Sequence, residues 1–218
     1  MLLRDLQGLL ATINDAQVRE DVCDYLITDS RALARWHAPT LESGTPESLL
    51  VAEHGGGIDL GLYLDPCLLE RLDASEPLAR LTDDNLEDFC TALEGVSHFH
   101  CVAFSAERDW SVSLFGLEMQ AEIDKYAVSV LLAGSQRGGT LVRGLHERLF
   151  HRVRFSGELD GALGALYARA NRYAARFCRR LEERFLRPRR ARVGDMLGEL
   201  RRFYRLGDAG KLRCIDAA

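Results

Sequence analysis

Leu49-Leu50-Val51-Ala52-Glu53-His54-Gly55-Gly56-Gly57-Ile58-Asp59-Leu60-Gly61-Leu62-Tyr63-Leu64 is the stretch that decides the fold class. Two short apolar runs flank a glycine turn, the pattern of an antiparallel hairpin. The second run places Ile58, Leu60, Leu62 and Leu64 on one face and Asp59, Gly61 and Tyr63 on the other, as a strand with one buried face demands. Upstream, Leu2, Leu3, Leu6, Leu9, Leu10 and Ile13 recur at helical spacing, and Val18, Val22, Tyr25 and Leu26 continue that period. Downstream, Asp65-Pro66 supplies an N-cap and a first-position proline for a short helix.

Thr82 or Asp83 caps a further helix through Leu93, with Gly95 read as its end. His98-Phe99-His100-Cys101-Val102-Ala103-Phe104 then reads as a strand. Trp110-Ser111-Val112 reads as a returning edge strand, after a turn at Glu107-Arg108-Asp109. Ser113 opens a helix carrying Leu114, Leu117, Ile123, Val128 and Leu131, which Gly134 and Gly138-Gly139 end. Between Glu158 and Arg187 an apolar stripe runs through Leu159, Leu163, Leu166, Tyr167, Ala170, Ala174, Phe177, Cys178, Leu181 and Phe185, and Pro188 stops the helix. Val193 to Tyr204 repeats the amphipathic pattern. The expected fold is therefore α+β. A small antiparallel sheet, built from the 49–64 hairpin and strands within 97–112, packs with helices, and the last third is mainly helical.

Charge divides the chain. Residues 1–136 hold 8 Lys and Arg against 24 Asp and Glu, a formal charge of −16; residues 137–218 hold 20 against 9, or +11. An acidic α+β body (1–136) and a basic helical region (137–218), docked as one compact unit, is the organisation this predicts. The basic residues are 26 Arg and 2 Lys, and a guanidinium fork suits carboxylate and phosphate alike. No apolar run is long enough to cross a bilayer. The Met1-Leu2-Leu3-Arg4-Asp5-Leu6 start lacks the pattern of an export signal, so the expected location is the cytoplasm, with no membrane partner. The six cysteines form no CxxC pair and read as reduced, mostly buried thiols.

The arginines of the last third carry the leading functional reading. Arg169, Arg172, Arg176 and Arg180 share one helical face, and Arg189, Arg190 and Arg192 follow beside Pro188. Together they form a candidate anion-binding surface for nucleic acid or an acidic protein surface. The competing reading is a solvated face paired with Glu182, Glu183 and Glu199, or docked on the chain's own acidic half. Tyr173, Phe203 and Tyr204 lie nearby at spacings that suit core residues better than stacking platforms.

His98 and His100, two apart on a strand, would face one side and reach one metal, with Glu94, Glu118 or Glu122 as a third ligand. Glu122 and Lys125, three apart on a helix, favour an ordinary surface ion pair instead. No metal or other cofactor is expected: the chain has no GxGxxG, Walker, GxSxG or HExxH motif, and Gly61 stands where a nucleotidyltransferase-like strand would need its second carboxylate.

Leu93-Glu94-Gly95-Val96-Ser97-His98-Phe99, followed by Leu117-Glu118-Met119-Gln120-Ala121-Glu122-Ile123-Asp124-Lys125-Tyr126, resembles an uncharacterised bacterial family. The resemblance covers a small part of the chain, implies a bacterial origin and a shared fold, and carries over no activity and no functional residue. The function expected is thus a non-enzymatic binding or adaptor protein that presents its Arg-rich helical face to an anionic partner. One alternative is a homo-oligomeric structural protein pairing acidic with basic halves. The other is a metal- or acid/base-dependent enzyme centred on His98, His100, Glu118 and Glu122.

Overall fold

The computed structural model describes residues 1–36, 46–55, 57–138, 144–151, 161–187 and 192–217. The fold is α+β, with a three-stranded sheet and eight α-helices among those residues. They pack as two compact units, the first comprising residues 1–11 and 17–111, the second 12–16 and 112–218. No helix among the described residues is long and apolar enough to cross a membrane.

In the first unit, helix α1 (Leu2–Asn14) buries Leu3, Leu6 and Leu10, the stripe its spacing predicts. Strand β1 (Leu26–Ile27) follows a 3-10 turn at Val22–Tyr25, where a continued α-helical period had been expected. The break has a local cause: the Asp21 carboxylate accepts from the Cys23 amide, and the buried Gln7 amide group accepts from the Val22 amide. The hairpin forms as expected, β2 (Glu47–His54) antiparallel to β3 (Gly57–Leu64) in unbroken register from Glu47–Leu64 to His54–Gly57. Gly55 takes φ 54°, the left-handed conformation a tight hairpin turn requires. The third strand differs from expectation: β1 pairs parallel to β3, Leu26 with Leu62 and Ile27 with Tyr63, so the sheet is mixed, in the order β1-β3-β2. Gly61 has a packing reason, since a Cβ there would lie 2.8 Å from Ile27 Cδ1 and 2.9 Å from Trp36 Cζ2. Helix α2 (Pro66–Ser75) starts on the Asp65 cap, whose carboxylate accepts from the amides of Cys67 and Leu68.

The strands expected within 97–112 do not exist. Residues 98–104 belong to helix α3 (Leu86–Ala106), and residues 110–112 are irregular chain. Buried Phe89, Ala92, Leu93, Val96, Phe99, Val102 and Ala103 follow the three-and-four helical period straight through Gly95. Gly95 is thus no terminator. It sits where α3 crosses the sheet, and a Cβ would come within 2.7 Å of Glu47 Cγ and 2.8 Å of Leu62 Cδ1. Leu62 is fully buried and has nowhere to retreat. Gly95→Val should therefore cost about 2–3 kcal/mol through overpacking, read as a lower urea midpoint. An unchanged midpoint would mean that the helix–sheet contact yields freely.

In the second unit, Ser113 caps α4 (Leu114–Gln136), accepting from the Gly116 amide as predicted. Helix α5 (Leu145–His151) and helix α6 (Ala162–Leu181) pack on α4 and on each other. A π-helical turn at Glu182–Leu186 ends α6, and α7 (Val193–Tyr204) and α8 (Asp208–Asp216) follow. The core joins Phe177 to Phe203, stacked with centroids 4.0 Å apart, and Tyr126 to Phe150 at 6.0 Å. The predicted α6 stripe is buried from Ala170 through Phe185, but Leu163 is exposed.

A buried polar chain crosses this core. Asn14 Nδ2 and Gln120 Nε2 each donate to Asp124 Oδ1 at 3.0 Å, and Lys211 Nζ donates to Gln120 Oε1 at 2.9 Å. All four side chains are buried.

Candidate anion-binding face of the second unit

Helix α6 was the strongest helical prediction in the sequence, and its regular period places Arg169, Arg172, Arg176 and Arg180 along one side. Their environments separate them into two pairs. Arg180 is spent: its Nη1 donates to the Cys214 carbonyl at 2.7 Å, its Nη2 lies 3.6 Å from Glu199 Oε1, and its guanidinium covers the Phe177 ring. Arg176 pairs with Asp216 at 2.9 Å, both side chains half exposed. Arg169 and Arg172 are exposed, and no carboxylate among the described residues lies within ion-pair distance of either.

What surrounds them is aromatic. The guanidinium carbons of Arg169, Arg172 and Arg176 lie 5.8, 6.0 and 5.7 Å from the centroid of the Tyr173 ring. Arg169 also sits 4.8 Å from the ring of Phe115, which meets Tyr173 edge-on at 6.2 Å. Each guanidinium rests on the negative face or flank of a π-system, which holds it in place without neutralising its charge. Tyr173 therefore differs from the core role its spacing suggested; it is only partly buried, whereas Phe203 and Tyr204 are core residues. The sequence signal for this cluster was available as Arg169, Arg172 and Arg176 spaced three and four residues from one another around position 173. The partnership with Phe115 joins two helices and carries no local signal.

Other arginines of the region are engaged locally. Arg187 pairs with Glu182 and Arg202 with Glu199, as the competing reading anticipated. Arg201 donates to the carbonyls of Thr12 and Ile13, and Arg205 to Asp15, so two cations cap the carbonyl end of α1. Arg192 reaches the Arg184 carbonyl at 2.9 Å and lies 3.7 Å from Asp195. Arg189 and Arg190 lie outside the described residues.

The residues considered for a metal lie on helices α3 and α4. His98 and His100 are buried on α3. Two residues apart on a helix they point about 200° from each other, so the shared strand face that suggested one metal between them is lost. His98 Nδ1 lies 3.7 Å from Glu47 Oε1. Glu118 and Glu122 belong to α4, in the second unit. Glu122 accepts from Lys125 Nζ at 2.9 Å, the ion pair that their spacing favoured, though both side chains are largely buried rather than at the surface.

Cys178 is fully buried, and burial, reinforced by Glu122, Asp124 and Glu182, pushes its thiol well above the usual range. Burial likewise raises the Tyr126 phenol, which donates to Glu182 at 3.1 Å. Cys23, Cys90, Cys101 and Cys214 are half buried, and Cys67 is exposed, so only one thiol meets the expectation of full burial.

No protein-family model, curated protein or solved structure matches the chain.

Proposed function

We propose that this is a non-enzymatic binding or adaptor protein whose second unit holds an anionic partner, nucleic acid or an acidic protein surface, on the Arg169–Arg172–Arg176 face of α6. One observation carries the reading: three guanidiniums gather within 6.0 Å of the half-buried Tyr173 ring, and of the three only Arg176 has a carboxylate partner among the described residues. Like charges placed this close repel one another, and a bound anion relieves the repulsion. The edge-on Phe115–Tyr173 pair beneath them adds apolar contact area beside the charges.

The test is binding of a labelled oligothymidylate, and in parallel of labelled polyglutamate, at low salt. Charge reversal at Arg169→Glu with Arg172→Glu should weaken binding by at least about tenfold, because each neutralised phosphate contributes released counterions. Both positions are exposed, so the circular dichroism spectrum should not change. Equal affinity of parent and variant for whichever probe binds would overturn the proposal, as would failure of the parent to bind either.

A further inference from the structure

Resting on that reading, we propose that Asp216, at the end of α8, is an internal competitor that occupies Arg176 until an external anion displaces it. Helix α8 is fixed by contacts along its length. Asp208 accepts from the Ser113 hydroxyl, Lys211 Nζ donates to the buried Gln120 side chain at 2.9 Å, and Ile215 is buried. These anchors deliver the last turn of α8 to the arginine face, where the Cys214 carbonyl accepts from Arg180 and the Asp216 carboxylate pairs with Arg176.

The two contacts differ in how easily they exchange. Arg180 is mostly buried and is also held by Glu199. Arg176 and Asp216 are 50% and 52% exposed, a solvated pair. Such pairs are worth little and turn over readily. Asp208, Lys211 and Ile215 hold α8 through contacts that do not involve Asp216. A multivalent anion arriving at Arg169 and Arg172 thus meets Arg176 one helical turn away, guarded by the replaceable Asp216 carboxylate. The footprint is two arginines at rest and three when occupied, with Arg180 excluded throughout.

Asp216→Asn removes the competitor while leaving every α8 anchor in place. It should tighten oligothymidylate or polyglutamate binding about threefold, the scale of one exposed ion pair. The gain should vanish when Arg176→Gln is added, because the two changes act through one contact. Glu183→Gln, an exposed change of equal charge, should give a smaller gain. Parent-like affinity of Asp216→Asn, or a gain that persists with Arg176→Gln, overturns the competitor while leaving the arginine face standing if Arg169→Glu with Arg172→Glu still weakens binding. Absence of binding in parent and Asp216→Asn alike overturns both.

Discussion

Asp124→Ala should destabilise the second unit by about 3–5 kcal/mol, the cost of breaking a buried hydrogen-bonded charge network. Asp124 is 2% exposed, and its Oδ1 accepts from two amide groups, Asn14 Nδ2 and Gln120 Nε2. Removing the carboxylate leaves both donors in the core without that acceptor. It also removes negative charge from a chain of contacts that ends on the buried ammonium of Lys211. Asp124→Asn keeps the size and an oxygen acceptor, so it should cost less than Asp124→Ala. Urea unfolding followed by circular dichroism decides the matter. A loss below about 1 kcal/mol, the net worth of one ordinary hydrogen bond, would show that the network is not a structural element. The same network explains why α4 carries Gln120 and Asp124 among apolar neighbours: their partners come from α8 and from the end of α1.

Phe177→Ala should be comparably severe, about 3–5 kcal/mol, from lost burial and the cavity left behind. Phe177 is 1% exposed, stacks on Phe203 at 4.0 Å and lies beneath the Arg180 guanidinium. Leu163→Arg, in the same sequence stripe, should stay within about 0.5 kcal/mol of the parent, because Leu163 is 41% exposed. The pair separates periodicity from burial. Equal effects of the two substitutions would contradict the packing described for α6.

Much of this architecture was legible in the sequence because its signals are local. The glycine turn at 55–57 and the alternation from Ile58 to Leu64 specify the hairpin, and Asp65-Pro66 and Ser113 specify helix starts. Gly95 is ambiguous in the sequence because glycine has two uses. Seen alone it marks a helix end; in the fold it is the residue that lets α3 touch β2 and β3. Once Gly95 ended the helix, the aromatic and β-branched residues from His98 to Phe104 looked like a strand. The period from Phe89 through Ala103, continuous across the glycine, is the sequence signal of the helix. Strand β1 is only two residues long and exists through parallel pairing with β3, so no local pattern announces it.

The candidate site was legible in part for the same reason. The face shared by Arg169, Arg172, Arg176 and Arg180 follows from helical spacing alone. Which of them remain available does not, because Asp216, Glu199 and the Cys214 carbonyl reach α6 from later helices. The His98 and His100 pairing depended wholly on strand geometry, and it fell with the strand.

The arginine face stands or falls on the salt dependence of oligothymidylate binding, measured for the parent and for Arg169→Glu with Arg172→Glu. For three arginines engaging phosphates of a single strand, the logarithm of the association constant should fall against the logarithm of salt concentration with a slope of roughly −2. In the variant that slope should approach zero. A parent that binds with no salt dependence, or a variant with the parent's slope, would place any binding elsewhere on the protein and contradict the account.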